Sequence, residues 1–519
     1  MSVKNLITVI KANSFFPKHS WWVFSICLII TSFTYDYQDV LFRPTQSIHQ
    51  WRQCDCLSIT MNYYQDNNPF LQPSVHYLGA DGTGKTISEC PLIYYSVASL
   101  WKVFGHHEFI YRMLVLLIYF IGLFSVFKLF ENKLKDSIWA MICSLLLFTS
   151  PTLVYYANNF LMDIPALSLA MVGLYFFFRF EQSGSNKFLY WSALFYTIAG
   201  LLKVSALLSF AAIIGLFALE LVNVTLRSDR KVFHQPLKQA AVFAGVLLIQ
   251  YAWYSYASFY NAQFNSGNFL IGILPIWEMD SSAIQTTLSA IGDHMQWSYF
   301  RLETQILLLL TFSFIIVFFK RANKAALYLT LIASAGFCAY VVLFFNPLKD
   351  HDYYTVNLFI LVPIVLLTFF DVLKTQFSSS FSSIILKVLA IAFLIHNVDF
   401  ARRRMIGRYN PDGWTNANYT HNLRAFTEIE PYLEAIGVRP NERVISLSDD
   451  HINTSLYLMN HKGWTNYGIY NDMTRLQEKI DQGAKYLFIS DTTTYAIPGI
   501  ESFTSNKVGQ YKNIDIYAL

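Results

Sequence analysis

The sequence predicts an α-helical polytopic membrane protein that ends in a small α/β domain. Three observations carry this. Of the 519 residues, 54% are hydrophobic and only 14% charged, whereas a soluble globular chain carries about 25% charged residues. Apolar runs long enough to cross a bilayer recur along residues 1–400. From about residue 401 the chain turns polar, with Gly and Pro punctuation. The formal net charge of +4 and the lack of a basic tract interleaved with aromatics argue against a nucleic-acid partner.

Lys4, Lys11 and Lys18 precede the first apolar run, Trp21 to Thr34. That run lacks a small-residue cleavage site and reads as a retained signal anchor. By the positive-inside rule its start is cytoplasmic, so the loop 35–108 lies outside. Further runs follow at 109–130, 137–157, 164–180, 188–202, 204–222, 238–258, 303–320, 325–345, 355–373 and 383–398. Between them the basic groups Lys128/Lys133/Lys135, Arg227/Arg230/Lys231 and Lys320/Arg321/Lys324 then all fall inside. The count is about 11 transmembrane helices, with the tail outside. Pro91 to Phe104 is apolar but shorter than the roughly 20 residues a crossing needs. It reads as a helix at the outer interface. Arg402, Arg403, Arg404 and Arg408 run against this topology, because they follow the last span on the outer side.

The six cysteines form no zinc pattern, and Cys54 or Cys56 could pair with Cys90 if the loop faces an oxidising compartment. In the tail, residues 401–519, Arg443 to Leu447 and Tyr486 to Ile489 read as buried strands. Asn471 reads as the cap of a helix through Gln482 that Gly483 stops. No phosphate-binding glycine motif and no evident catalytic set appear there.

Ionisable residues gather on the outer side, and intramembrane or interfacial charge marks function. In the first loop, His49-Gln50-Trp51-Arg52-Gln53-Cys54-Asp55 sets Arg52 and Asp55 three residues apart on one helical face. Asp55 suits a general base; the plain alternative is a salt bridge to Arg52. Glu89, before Pro91, suits a helix cap, an acceptor contact or a divalent metal cation. Asp163, before Pro165, suits a helix N-terminus as well as chemistry. Lys203 interrupts an apolar run, so it either snorkels or meets an anion such as a lipid phosphate. His351-Asp352-Tyr353-Tyr354 suits a phosphate or sugar, or an interfacial aromatic belt.

These motifs, in order over residues 20–375, resemble the GT-C integral-membrane glycosyltransferases, in the branch related to protein O-mannosyltransferases and the lipid A aminoarabinose transferase. The His49–Asp55 stretch resembles the first-loop motif. Ser88-Glu89-Cys90-Pro91-Leu92 resembles the family's Glu-Lys-Pro-Pro element, with Tyr94-Tyr95, Phe104-Gly105 and Arg112 after it. Met162-Asp163-Ile164-Pro165 resembles the second acidic motif, Leu202-Lys203 a family lysine, and His351 to Tyr354 the late His/Tyr motif. Cys90 departs, standing where the aminoarabinose branch has lysine.

The resemblance implies an inverting sugar transfer from a polyprenyl-phosphate donor to a glycan, lipid or protein acceptor. It assigns Asp55 as base, and Glu89 and Asp163 to orienting the acceptor or a divalent cation. Lys203, His351, Tyr353, Tyr354 and Arg112 are assigned to the donor phosphate, and His49, Trp51 and Arg52 to the acceptor side. It further implies a multi-pass protein of a bacterial inner membrane, surrounded by membrane lipids, with an extracytoplasmic site and no certain cofactor, a divalent metal cation being the one candidate. The alternative is a transporter or flippase of lipid-linked saccharides, though no internal repeat is visible.

Overall fold

The computed structural model describes residues 15–269 and 272–519; Lys4 and Lys11 lie outside the described residues. Among the described residues seven helices are long and apolar enough to cross a membrane, and two sharply bent helix pairs bring the number to nine. Two further expected spans are the helices Phe15–Thr34, of 20 residues, and Asn186–Leu202, of 17 residues. At about 1.5 Å per residue the second covers about 25 Å, and the two together make up the difference from eleven. Leu92–Phe104 is a separate 13-residue helix.

The bends serve the polar face. Ser137–Leu147 and Pro151–Ala157 meet at 79°. Pro151 starts the second piece, where its missing N–H costs nothing, and the Ser150 hydroxyl accepts from the Leu153 N–H. This short helix carries Tyr155 and Tyr156 inward, both fully buried. The chain likewise breaks at Lys203, whose extended backbone separates Asn186–Leu202 from Val204–Leu221.

The small domain holds one five-stranded sheet: β1 (Arg443–Ser446), β2 (Gly463–Thr465), β3 (Ala484–Ile489), β4 (Lys507–Tyr511) and β5 (Ile514–Ala518), in spatial order β2-β1-β3-β5-β4. β2, β1 and β3 are parallel, and β5 and β4 are antiparallel. β1 and β3 lie where the apolar runs predict strands. The cap of Met473–Asp481 is Asp472, whose carboxylate accepts from the Thr474 N–H; Asn471 instead turns with φ 58°. The last long helix, Ile384–Arg408, runs past the expected boundary at 401.

The first loop docks on this sheet. Tyr77 pairs in parallel with Gly463, the Leu78 N–H donates to the Gly463 carbonyl, and the Gly463 N–H donates to the His76 carbonyl. The Trp464 indole donates to the Gly79 carbonyl at 2.8 Å. The loop therefore covers the β2 edge, which would otherwise expose unpaired backbone groups. Only glycine fits at 463, because a Cβ there would lie 1.8 Å from the Val444 carbonyl oxygen. Cys54, Cys56 and Cys90 are buried free thiols, so neither Cys54 nor Cys56 pairs with Cys90.

Candidate active site

A turn containing two left-handed residues, Ser47 (φ 74°) and His49 (φ 56°), starts the helix Gln50–Gln65. Strained non-glycine backbone of this kind persists where its surroundings fix it. Here the Gln53 amide donates to the Gln46 carbonyl, and the Tyr155 hydroxyl donates to the Ile48 carbonyl at 2.8 Å. The helix is buried along nearly its whole length, although much of it is polar. Buried polar groups must be paired, and the pairs they form build the site.

Arg52 and Asp55 share a face as their spacing predicts, but Arg52 prefers another partner. Its guanidinium lies 2.7 Å from Glu89 and 3.7 Å from Asp55. The plain salt-bridge reading of Asp55 is therefore weak. Asp55 is 1% exposed. Its Oδ1 accepts from the Asn453 amide at 2.7 Å, while its Oδ2 has no hydrogen-bond partner. Burial raises its pKa to about 6, against the lowering pull of Arg52, Asn453 and His451.

Glu89 sits between two cations. Besides Arg52, the Lys203 ammonium lies 3.4 Å away, and the Ser88 hydroxyl donates to the second oxygen. Burial works against ionisation, but Arg52 and Lys203 outweigh it and hold this carboxyl well below the usual range. Lys203 also approaches Asp163 at 3.7 Å. It meets anions rather than snorkelling, and its ammonium stands 5.6 Å from the Tyr354 ring centre and 6.0 Å from that of Tyr353. Asp163 is buried at a helix start, and its Oδ1 has no hydrogen-bond partner. Asp55, Arg52, Glu89, Lys203 and Asp163 thus form one chain of charges, drawn from stretches far apart in the sequence.

The late motif joins through His49 and Asp352. Asp352 accepts from Arg408 at 2.6 Å, from Tyr156, and lies 3.4 Å from His49 Nε2. Burial lowers the His49 pKa despite Asp352, which favours the neutral imidazole. The His49 ring stacks on His351 at 5.4 Å and meets the Tyr353 edge at 5.1 Å. Trp51 is half-buried between His351 at 5.7 Å and His451 at 6.2 Å. His351 pairs with Asp350.

Arg112 is placed elsewhere. It is fully buried, donates to the carbonyls of Asn158, Arg43 and Pro44, and packs over Phe160. It pins two loops together, and its guanidinium is taken up by those carbonyls. A divalent cation at Glu89 does not fit either. That carboxylate is already neutralised by two cations, and among the described residues no group of three His, Cys, Asp or Glu side chains converges on a metal position. The acids and imidazole of the connection after Tyr260 (Glu278, Asp280, Asp293, His294) do not enter the cluster's ion pairs.

Sequence reasoning missed Asn453, His451 and Arg408, and took Asp352 only as part of the late His/Tyr motif. Arg408 ended the anomalous arginine run, so it carried a signal. Asn453 and His451 carried none that local pattern could reveal.

Comparison with known proteins bears on the fold. Residues 88–256 match the family described as dolichyl-phosphate-mannose-protein mannosyltransferase. No curated protein matches the chain in sequence. In structure the chain is similar to ArnT from Cupriavidus metallidurans, in the apo state (TM-score 0.61, 13% identity, 96% of this chain and 97% of that chain). The same protein bound to undecaprenyl phosphate matches with a TM-score of 0.59 at 13% identity, over 96% and 98% of the two chains. The Archaeoglobus fulgidus oligosaccharyltransferase has a TM-score of 0.51 at 11% identity, over 89% and 67%. The mycobacterial arabinofuranosyltransferase AftD has a TM-score of 0.51 at 12% identity, over 95% of this chain and 41% of that one. The chain has the ArnT-like GT-C fold.

Proposed function

We propose that this protein is an inverting glycosyltransferase that moves a sugar from a polyprenyl-phosphate donor to a cell-envelope acceptor, a glycan, lipid or protein. The observation that carries this reading is the buried Asp55, with one oxygen held by Asn453 and the other without a hydrogen-bond partner, linked through Arg52 and Glu89 to the Lys203 ammonium that faces two tyrosines. The mannosyltransferase-family match and the likeness to an undecaprenyl-phosphate complex support a lipid-phosphate donor.

Asp55 Oδ2 accepts the proton of the acceptor hydroxyl. The acceptor oxygen bonds to the anomeric carbon as the bond from that carbon to the phosphate oxygen breaks. The lipid phosphate departs with the electron pair, opposite the incoming oxygen. A base of pKa about 6 is mostly ionised at neutral pH and still basic enough to assist. Lys203, with Tyr353, Tyr354 and His351, stabilises the charge growing on the phosphate. Glu89 holds Arg52 and Lys203 in place, and Asp163 completes the cradle of Lys203. An apolar cavity of about 440 Å³ opens beside this motif, lined by Thr355, Leu358, Phe300, Phe312 and Phe337. It suits the near end of the lipid tail. We take the site to face the outside of a bacterial inner membrane; the basic clusters support the outward side.

The test is transfer from a panel of purified polyprenyl-phosphate sugars to membrane extract, comparing wild type with Asp55→Asn. Transfer by wild type and none by an inserted, folded Asp55→Asn is expected. Equal transfer by both would remove Asp55 from the mechanism. No transfer from any donor, with labelled lipid-linked sugar crossing liposome bilayers instead, would replace the enzyme by a flippase.

A further inference from the structure

The small domain reaches the base directly. The loop leaving β1 at Leu447 lies outside the carboxyl ends of the parallel strands, where open α/β sheets present functional groups. Asp449 shapes this loop: its carboxylate accepts from the His451 N–H, the Ser455 N–H and the Ser455 hydroxyl. The loop then delivers two side chains to the first-loop helix. His451 stacks on Trp51 with the rings 6° from parallel, and Asn453 meets Asp55.

Asn453 is fully buried, and its amide is satisfied on both sides. Oδ1 accepts the Tyr77 N–H at 2.9 Å and the Ser58 hydroxyl at 3.4 Å. A backbone N–H can only donate, so it fixes which end of the amide is oxygen. The NH₂ is thereby turned to Asp55 Oδ1 at 2.7 Å. Neither a carboxylate nor an alkyl chain could accept from Tyr77 and donate to Asp55 together.

We propose that Asn453 is a positioning residue of the transfer reaction, a donor supplied by the small domain that fixes the Asp55 rotamer and leaves Oδ2 free for the acceptor. This rests on the reading of Asp55 as base. The domain is then part of the active site, and its docking through Tyr77 and Gly463 is a condition for a correctly held base. A donor on the carboxylate favours its ionised form. Other groups also bear on Asp55. Arg52, Cys54 and Cys56 lie on its own helix, and Glu89 comes from the loop. Tyr353 comes from the late motif, and His451 and Tyr467 from the small domain. None of these is altered by a change at Asn453 alone.

The experiment uses the full chain in lipid nanodiscs, as wild type, Asn453→Ala and Asn453→Asp. The Asp55 carboxyl is titrated by infrared difference spectroscopy, its band assigned by loss in Asp55→Asn, and the pH profile of sugar transfer is recorded alongside. Loss of the donor in Asn453→Ala should move the Asp55 midpoint up by about one pH unit or more. It should lower kcat about tenfold on the acid side while leaving the donor KM in place. Asn453→Asp keeps an acceptor for Tyr77 and Ser58, so a purely structural role predicts wild-type behaviour. The proposal predicts an upward shift at least as large, because a second carboxylate replaces the donor. Asn453→Asp with the wild-type midpoint and profile would overturn it, as would an unmoved midpoint in Asn453→Ala. A wild type that transfers no sugar overturns the proposed reaction alone, since the infrared midpoint still reads the hold of Asn453 on Asp55.

Discussion

Replacing Glu89 by Gln removes the shared anion of two buried cations, and the structure allows the outcome to be worked through. Glu89 is 7% exposed and lies 2.7 Å from Arg52 and 3.4 Å from Lys203. Deleting one partner of a buried pair costs about 3–5 kcal/mol. Lys203 keeps Asp163 at 3.7 Å, and Arg52 is free to swing toward Asp55, now 3.7 Å away, so the lower end, about 3 kcal/mol, is expected. Closing the Arg52–Asp55 gap by about 1 Å at an effective dielectric of about 20 adds roughly 1.5 kcal/mol of attraction, or about one pKa unit. Asp55 then falls from about 6 toward about 5, and the freed Arg52 occupies the oxygen that Asp55 needs. Glu89→Gln should therefore unfold several degrees earlier, transfer sugar more slowly at every pH, and lose transfer at a lower pH than wild type. The stability gap should be flat between about pH 7 and 9, above the titration of Asp55 in either protein. The folded pKa of Glu89 is depressed, so its contribution is complete above the unfolded value of 4.5 and lost only as pH falls through the folded one. Thermal unfolding by intrinsic fluorescence and a pH profile of transfer check both parts. An unchanged melting temperature with an unchanged acid limb would refute the central role of Glu89.

Three further outcomes are expected. Wild-type transfer should fall as pH drops through about 6, to about a tenth near pH 5, because the raised pKa of Asp55 leaves it protonated on the acid side; a profile flat to about pH 5 would exclude Asp55 as the titrating base. Lys203→Met keeps the length but not the charge and should lower kcat by about 10²–10³, with a near-wild-type rate on a steady-state assay counting against phosphate stabilisation. Gly463→Ala forces a Cβ to 1.8 Å from the Val444 carbonyl oxygen; it should undock the first loop, seen as new protease cuts near Tyr77 and lost transfer, and resistance equal to wild type would contradict the edge pairing.

Much of the membrane architecture was legible because lipid enforces long apolar runs. The charged chain was legible because acids and Lys203 are expensive in such surroundings and stand out. What failed did so for identifiable reasons. Arg112 occupies a motif position, but three carbonyls from distant loops absorb its guanidinium. The arginine run after the last span was read only for topology, whereas Arg408 turns inward to Asp352. The break at Ser150 was hidden in a continuous apolar run, since residues on both sides are hydrophobic. Asn453 gave no sign, because its meaning comes from contacts with Tyr77 and Asp55, far away in sequence.

The strand-like pairing of Tyr77 with Gly463 also bears on how the molecule is made. The partner of Tyr77 lies in β2, and β2 pairs within the sheet only with β1, so nothing that the early chain can build by itself supplies this contact. A ribosome that has released the first several helices has produced Asp55 but not its holder. Contacts this distant in sequence form late and slowly. The contacts of the first loop with the sheet, and the amide on Asp55, therefore wait until synthesis is nearly over. On the proposed reading of Asp55, a half-made chain lacks the contact that holds its base, and gains it only when the last domain closes.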